Sequence, residues 1–190
     1  HLADFAVFQL PEDAIAQAPE ILRGQAVVSA IDANGTLINA TGLQIAGVLD
    51  DLFTYDGELG ARFKEDGVPT VSVWAPTAQN VRFHLFESSA ADAEGEAFDM
   101  DYDPATGVWS ITGDSSWQNQ YYLYEVEVYA PTVQNIVTNM VTDPYSYSLS
   151  MNSERTQLVN IDDPAFVPEG WMTLEKPPLE APEDITIYEL

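Results

Sequence analysis

Apolar and polar residues alternate with a period of two along most of this chain, and stretches with a helical period are few. Gln25 to Ile31 reads as a strand closed by the turn Asp32-Ala33-Asn34-Gly35, with Thr36 to Asn39 returning. Asn-Gly supplies the positive φ that a tight hairpin requires. Pro11 to Ala18 predicts a short helical turn with Asp13 near its start. After a composition shift near Tyr55-Asp56-Gly57, Thr70 to Trp74 places Val71 and Val73 on one face. Pro76 ends that strand, because proline has no N–H to give a ladder. Val81 to Phe86 puts Val81, Phe83 and Leu85 on one side, and Arg82, His84 and Phe86 on the other. Phe98 to Tyr102 is expected to meet Val108 to Thr112 across the turn Asp103 to Gly107, which carries proline and glycine at turn positions. Tyr121 to Val128 is the clearest strand: Tyr122, Tyr124, Val126 and Val128 face one way, Glu125 and Glu127 the other. Ile136 to Val141 is its expected hairpin partner.

Strands at this spacing predict an all-β chain built around an immunoglobulin-like β-sandwich over residues 57–143. Residues 1–56 hold too few strands for an independent sheet and read as the C-terminal part of a preceding β-domain. Over residues 144–184 the periodicity fades, and Pro164, Pro168, Pro177, Pro178 and Pro182 predict an extended connector. Residues 185–190 read as a new, buried strand. His1 in place of Met, and Leu190 directly after the apolar run Ile185-Thr186-Ile187-Tyr188, read as cut ends of a longer protein.

Charge narrows the partners. Asp and Glu number 31 against 6 Lys and Arg, a formal net charge of −25. Such a field repels phosphate backbones and anionic lipid, which excludes nucleic-acid and membrane-surface binding. Apolar residues at 46% and aromatics at 11% suffice for a core, so a disordered acidic tail is excluded as well. The chain has no cysteine, hence no disulfide framework and no thiol nucleophile. No apolar run approaches the ~20 residues that cross a bilayer. The acids are spread along the whole chain and read as a hydrated surface, as in proteins of saline habitats.

Few residues point to chemistry. Among so many acids, carboxylate pairs at glycosidase spacings arise by chance and mark no catalytic residue. Asp99, Asp101 and Asp103 start like an EF-hand loop, but Pro104 and Ser110 stand where the loop's glycine and bidentate Glu belong. These three Asp are weak metal candidates, and a strand places them on one solvent face instead. His84 has no nucleophile elbow to serve and reads as a surface strand histidine beside Arg82. Asn34-Gly35-Thr36 and Asn39-Ala40-Thr41 match the glycosylation pattern, but the turn already explains Asn34. Aromatic rings are the more informative signal, since exposed ones stack on the apolar faces of sugars. Tyr122 and Tyr124 share a face with Val126 and Val128 and read as core. Trp74 lies opposite Val71 and Val73, at an interface or on a binding face. Trp117, in a loop beside Gln118 and Asn119, is the best sugar-contact candidate, with Trp109 the third.

Trp74-Ala75-Pro76-Thr77-Ala78-Gln79-Asn80-Val81, after Asp66-Gly67-Val68-Pro69-Thr70, resembles the opening of the starch-binding module of family 48 found in debranching enzymes. Thr106-Gly107-Val108-Trp109-Ser110 is similar to that module's central turn, and Tyr121 to Val126 to its late strand. Val141-Thr142-Asp143-Pro144-Tyr145-Ser146, then Leu149-Ser150 and Asn152-Ser153, resembles the segment leading into the catalytic barrel of pullulanases. Asp163-Pro164-Ala165, Pro168-Glu169-Gly170-Trp171 and Pro177-Pro178-Leu179-Glu180 continue it, and residues 183–190 resemble the barrel's first strand. Ala40 to Asp50 is similar to the domain preceding the module in bacterial pullulanases.

The resemblance implies the N-terminal region of a pullulanase or limit-dextrinase type debranching enzyme, a glycoside hydrolase of family 13. Its parent hydrolyses α-1,6-glucosidic bonds in pullulan, amylopectin and limit dextrins through an Asp nucleophile and a Glu acid/base on later barrel strands. Neither carboxylate is carried over to a residue here, so the chain alone is expected to be non-catalytic. Implied partners are the barrel and, through the parent, α-glucan. Alternatives are an autonomous α-glucan-binding module and a purely structural immunoglobulin-like domain. No cofactor is implied for the chain, with calcium left open for the parent. The expected setting is an exported or cell-surface bacterial protein.

Overall fold

The computed structural model describes residues 9–176 and 178–189, so His1, Pro177 and Leu190 lie outside the described residues. The chain forms two compact units divided between Asn160 and Ile161.

The first unit opens with two short helices, α1 (Glu12–Ala16) and α2 (Ala18–Ile21). A hairpin of β1 (Val27–Ile31) and β2 (Leu37–Gly42) follows. Its turn forms as the Asn-Gly pair predicts. Gly35 sits at φ 83°, and Asp32 Oδ1 accepts the N–H groups of Asn34 and Thr36, each at 2.8 Å. Helix α3 (Ala46–Leu52) comes next, a seven-residue element that the period-two reading does not announce.

The sandwich consists of β3 (Gly60–Phe63), β4 (Pro69–Trp74), β5 (Ala78–Phe86), β6 (Gly95–Asp99), β7 (Asp101–Asp103), β8 (Val108–Thr112), β9 (Tyr121–Ala130), β10 (Asn135–Val141) and β11 (Thr156–Gln157). One sheet has the order β3-β4-β8-β7 and the other β10-β9-β5-β6, with β11 also pairing β9. Every pairing is antiparallel. The period-two faces meet as the alternation requires. Val71 and Val73 of one sheet pack against Val81, Phe83, Tyr122 and Tyr124 of the other, and all are buried. Full burial of such side chains stabilises by roughly 1.5–3 kcal/mol each, so this inner layer dominates the packing.

The structure differs from the alternation in four places. Phe98 to Tyr102 is not one strand facing Val108 to Thr112: β6 pairs β5, and only β7 pairs β8. The chain changes sheets at Met100, which is 7% exposed and points into the core, so the alternation runs unbroken through the corner. Phe86 sits on the side read as polar yet is 8% exposed, because the Arg155 guanidinium lies 3.9 Å above its ring. Residues 144–160 belong to the first unit and not to an extended connector: Thr156 and Gln157 pair with β9, and Leu158 is fully buried. Residues 185–189 form no strand here, since a single segment without neighbours has no ladder to join.

The second unit contains three single 3-10 turns, Pro164–Phe166, Trp171–Thr173 and Pro182–Asp184. Its large apolar side chains, Phe166, Trp171, Met172 and Leu174 among them, are exposed. Among the described residues no helix is long and apolar enough to cross a membrane.

Candidate functional site

On β4 the inward turn of Val71 and Val73 sends Trp74 to the outer face of its sheet. There its indole N–H donates to the carbonyl of Phe53 at 2.9 Å. Phe53, the residue after α3, is 2% exposed and docks α3 against the sandwich. The fit relies on Gly107 at φ 71°, where an added Cβ would stand 2.5 Å from the Pro76 side chain and 3.3 Å from the Phe53 ring. A second clamp holds the helical N-terminal part. Arg23 donates to the carbonyls of Ala78 at 2.6 and 2.9 Å and of Gln79 at 2.9 Å, while Gln79 Nε2 donates back to Arg23 O at 2.6 Å.

These contacts leave a cleft of about 290 Å³ walled by Trp74, Tyr55 and Tyr145, with Asp50 and Thr54 on its α3 side. Tyr145 is held in turn by Asp143, whose Oδ1 accepts its N–H at 2.7 Å. Asp143 is 2% exposed and takes the hydroxyls of Tyr122 at 2.5 Å and Tyr124 at 3.0 Å on Oδ2. Burial, and after it the negative charge of Asp143, pushes the Tyr122 phenol far above the usual tyrosine range. Tyr124 is raised in the same direction, first by burial and then by its neighbours Tyr122 and Asp143.

Among the three tryptophan candidates, only Trp74 lines this cleft. Trp117 is the last residue of the 3-10 turn Ser115–Trp117, capped by Asp114, which accepts the Ser116 N–H at 2.9 Å. Its ring stacks on Phe83, with centroids 5.3 Å apart and planes 8° apart, and lies 5.0 Å from Phe98. One face of Trp117 is therefore part of the core's edge and closed to a sugar. Trp109 is 5% exposed, donates to Ala75 O at 3.1 Å and packs 4.7 Å from Tyr102. A ring buried to that degree has no face to offer, which removes Trp109 as a sugar contact.

The aspartate run does not converge either. Asp99 on β6 pairs with Arg82 at 3.1 Å. Asp103 closes its own turn through the Thr106 hydroxyl at 2.7 Å and the Ala105 N–H at 3.0 Å, which hold its carboxyl below the usual range. The change of sheet at Met100 divides the run between two sheets. Among the described residues no group of three His, Asp or Glu is placed to hold a metal. His84 contacts Glu125 at 2.8 Å, beside Arg82 on the outer face of β5 and β9.

Sequence reasoning missed Tyr55, Asp50 and Thr54, which reach the cleft only through the docking of α3. Asp143 and Tyr145 carried a signal, since both stand in the run Thr142-Asp143-Pro144-Tyr145-Ser146 on which part of the family resemblance rests.

Residues 1–51 match the pullulanase N2 domain, and residues 58–146 match carbohydrate-binding module 48, the isoamylase N-terminal domain. The chloroplastic pullulanase 1 of Arabidopsis thaliana is 41% identical over 192 residues, covering 100% of this chain and 19% of that protein. The pullulanase of Klebsiella pneumoniae is 41% identical over 180 residues, covering 93% of this chain and 16% of that protein. The crystal structure of Klebsiella pneumoniae pullulanase complexed with maltotriose superposes with a TM-score of 0.83 at 39% identity, over 92% of this chain and 16% of that one. The chain thus spans less than a fifth of the length of these relatives. Its two matched regions, and the sandwich that carries the second, give the chain a pullulanase N2 domain followed by a family 48 carbohydrate-binding module, in the order of the pullulanases to which it is similar.

Proposed function

We propose that these residues are a non-catalytic, N-terminal part of an enzyme that hydrolyses α-1,6-glucosidic bonds in starch-type glucans. In this reading the first unit frames the substrate groove, and residues 161–189 lie against the larger part of the protein, the catalytic barrel. The observation that carries the proposal is the exposure of Trp171 (63%), Met172 (85%) and Leu174 (61%) in a unit without a sheet. Apolar groups left in water in this number mark a surface that another part of the protein covers. The aromatic inventory supports a framing role, because Trp109, Tyr122 and Tyr124 are consumed by the core.

The chain alone is expected to release no reducing ends from pullulan. When the remaining length of the enzyme is expressed separately, adding this chain should raise its thermal midpoint, and Trp171→Ala with Met172→Ala should abolish that gain. Hydrolysis by a clean preparation of the chain would overturn the non-catalytic reading. A separately expressed remainder whose stability ignores the chain would overturn the framing role.

A further inference from the structure

We infer that the cleft between Trp74, Tyr55 and Tyr145 seats one glucosyl ring of an α-glucan, making it a substrate contact remote from bond cleavage. The inference takes its ligand class from the function proposed above and assigns the place of contact.

The walls are aromatic, and the rim is polar. Trp74, Tyr55 and Tyr145 are each half-buried, so each keeps surface open to the cleft, whereas Asp50 and Thr54 are exposed at its edge. A pyranose ring presents apolar C–H faces and equatorial hydroxyls, which suits aromatic faces beside a carboxylate. The Thr54 hydroxyl donates to Asp50 O at 2.8 Å, leaving its oxygen to accept from a sugar hydroxyl. Size agrees with a single ring, since about 290 Å³ lies at the lower end of small-molecule sites, roughly 300–1,000 Å³.

Other ligand classes fit less well. A phosphate or carboxylate would face Asp50 inside a net field of −25. A metal ion would find only one carboxylate among the lining residues. Neutral polyols meet neither objection.

The walls are also fixed before any ligand arrives. The Trp74 ring is oriented by its indole bond to Phe53 O at 2.9 Å, and the backbone that carries Tyr145 is anchored by its N–H on the buried Asp143 at 2.7 Å. Pre-set aromatic faces lose little rotamer freedom on binding, which favours affinity. Trp117 keeps one face on Phe83, and the cleft of about 270 Å³ that it lines carries Glu87, Glu94 and Glu96 in place of further aromatic walls.

Titration calorimetry of the chain with β-cyclodextrin and maltotriose, and with cellotriose as the β-linked control, tests the assignment. Binding of the two α-linked sugars is expected, weakened about tenfold by Asp50→Ala through loss of one charged hydrogen-bond partner. Trp74→Ala should abolish binding, and Trp117→Phe should leave it unchanged. Because Trp74→Ala also breaks the bond to Phe53, the exposed Asp50→Ala variant decides the matter if the former fails to fold. Unchanged affinity in Asp50→Ala, no heat at millimolar α-linked sugar, or equal binding of cellotriose would each overturn the inference. None of these outcomes touches the pullulan assay or the stabilisation of the remaining enzyme, so the two readings fail separately.

Discussion

The phenol of Tyr124 donates to Oδ2 of Asp143 across 3.0 Å in the interior of the first unit, where Asp143 is 2% exposed and Tyr124 fully buried. The Tyr122 hydroxyl shares the same oxygen, the Tyr145 backbone N–H occupies the other, and the Asp143 N–H donates to Thr156 Oγ1 at 2.8 Å. One residue therefore ties β9, the residues after β10 and β11 together, the first two through its carboxylate and the last through its backbone N–H. A buried carboxylate without a cation persists only when donors replace its hydration, and three do so here.

Removing that acceptor strands two buried hydroxyls and a backbone N–H. Asp143→Ala is expected to lower the unfolding free energy by about 3 kcal/mol or more, in the range of a broken buried network. Asp143→Asn keeps one carbonyl acceptor and should lose less. Urea denaturation of both variants checks this, and equal losses would show that packing rather than hydrogen bonding sets the effect.

The same network fixes a direction of pH dependence. An ordinary tyrosine ionises near 10.0, and the folded chain holds Tyr122 and Tyr124 well above that value. Below pH 10 both states keep these protons, so the stabilisation is fully present. Above it the unfolded chain releases protons that the folded chain retains, and stability falls as pH rises. Denaturation midpoints measured from pH 8 to about pH 11.5 should drop, and the drop should be shallower in a Tyr122→Phe, Tyr124→Phe double variant.

Arg155 performs a similar task for the loop after β5. Its guanidinium is buried, donates to Ser88 O and Ala90 O at 2.7 Å each, and covers the Phe86 ring. Arg155→Met should free residues 87–94 and cost about 2–3 kcal/mol, whereas Arg155→Lys cannot reproduce the planar fork and should recover only part. Faster amide exchange confined to 87–94 in Arg155→Met is the expected signature.

How much of this was legible in sequence depends on where the information lies. The β9 alternation was readable because Tyr122, Tyr124 and Val126 face the core while Glu125 meets Arg82 and His84 on the outer face, so a two-residue period carries the whole decision. The β1–β2 turn was readable because Asp32, Asn34 and Gly35 act on one another locally. The change of sheet at Met100 was not, because the inward position is apolar whichever sheet the flanking residues join. Arg155 and Leu158 fall in a stretch whose sequence reads as connector, because their burial depends on partners more than thirty residues away, Ser88 for one and Gln120 for the other. The Trp74 cleft was half legible: the outward tryptophan followed from the pattern, its companions from the docking of α3.

Trp117 separates a core role from a sugar-binding role in one substitution series. Its indole lies over Gly113, where an added Cβ would overlap the ring, and it stacks on Phe83 and leans on Phe98. Truncation to Ala opens a void beside Phe83 and should destabilise by about 2–4 kcal/mol, less than a fully buried tryptophan because the ring is partly exposed. Trp117→Phe keeps a ring on Phe83 and should recover most of that loss through the stacked pair. A sugar platform would behave in the opposite way, with glucan affinity falling in Trp117→Ala while stability held. Paired thermal denaturation and β-cyclodextrin titration of the two variants distinguish the patterns. The stack with Phe83 predicts that stability moves and affinity stays, because that face of the indole already belongs to the core.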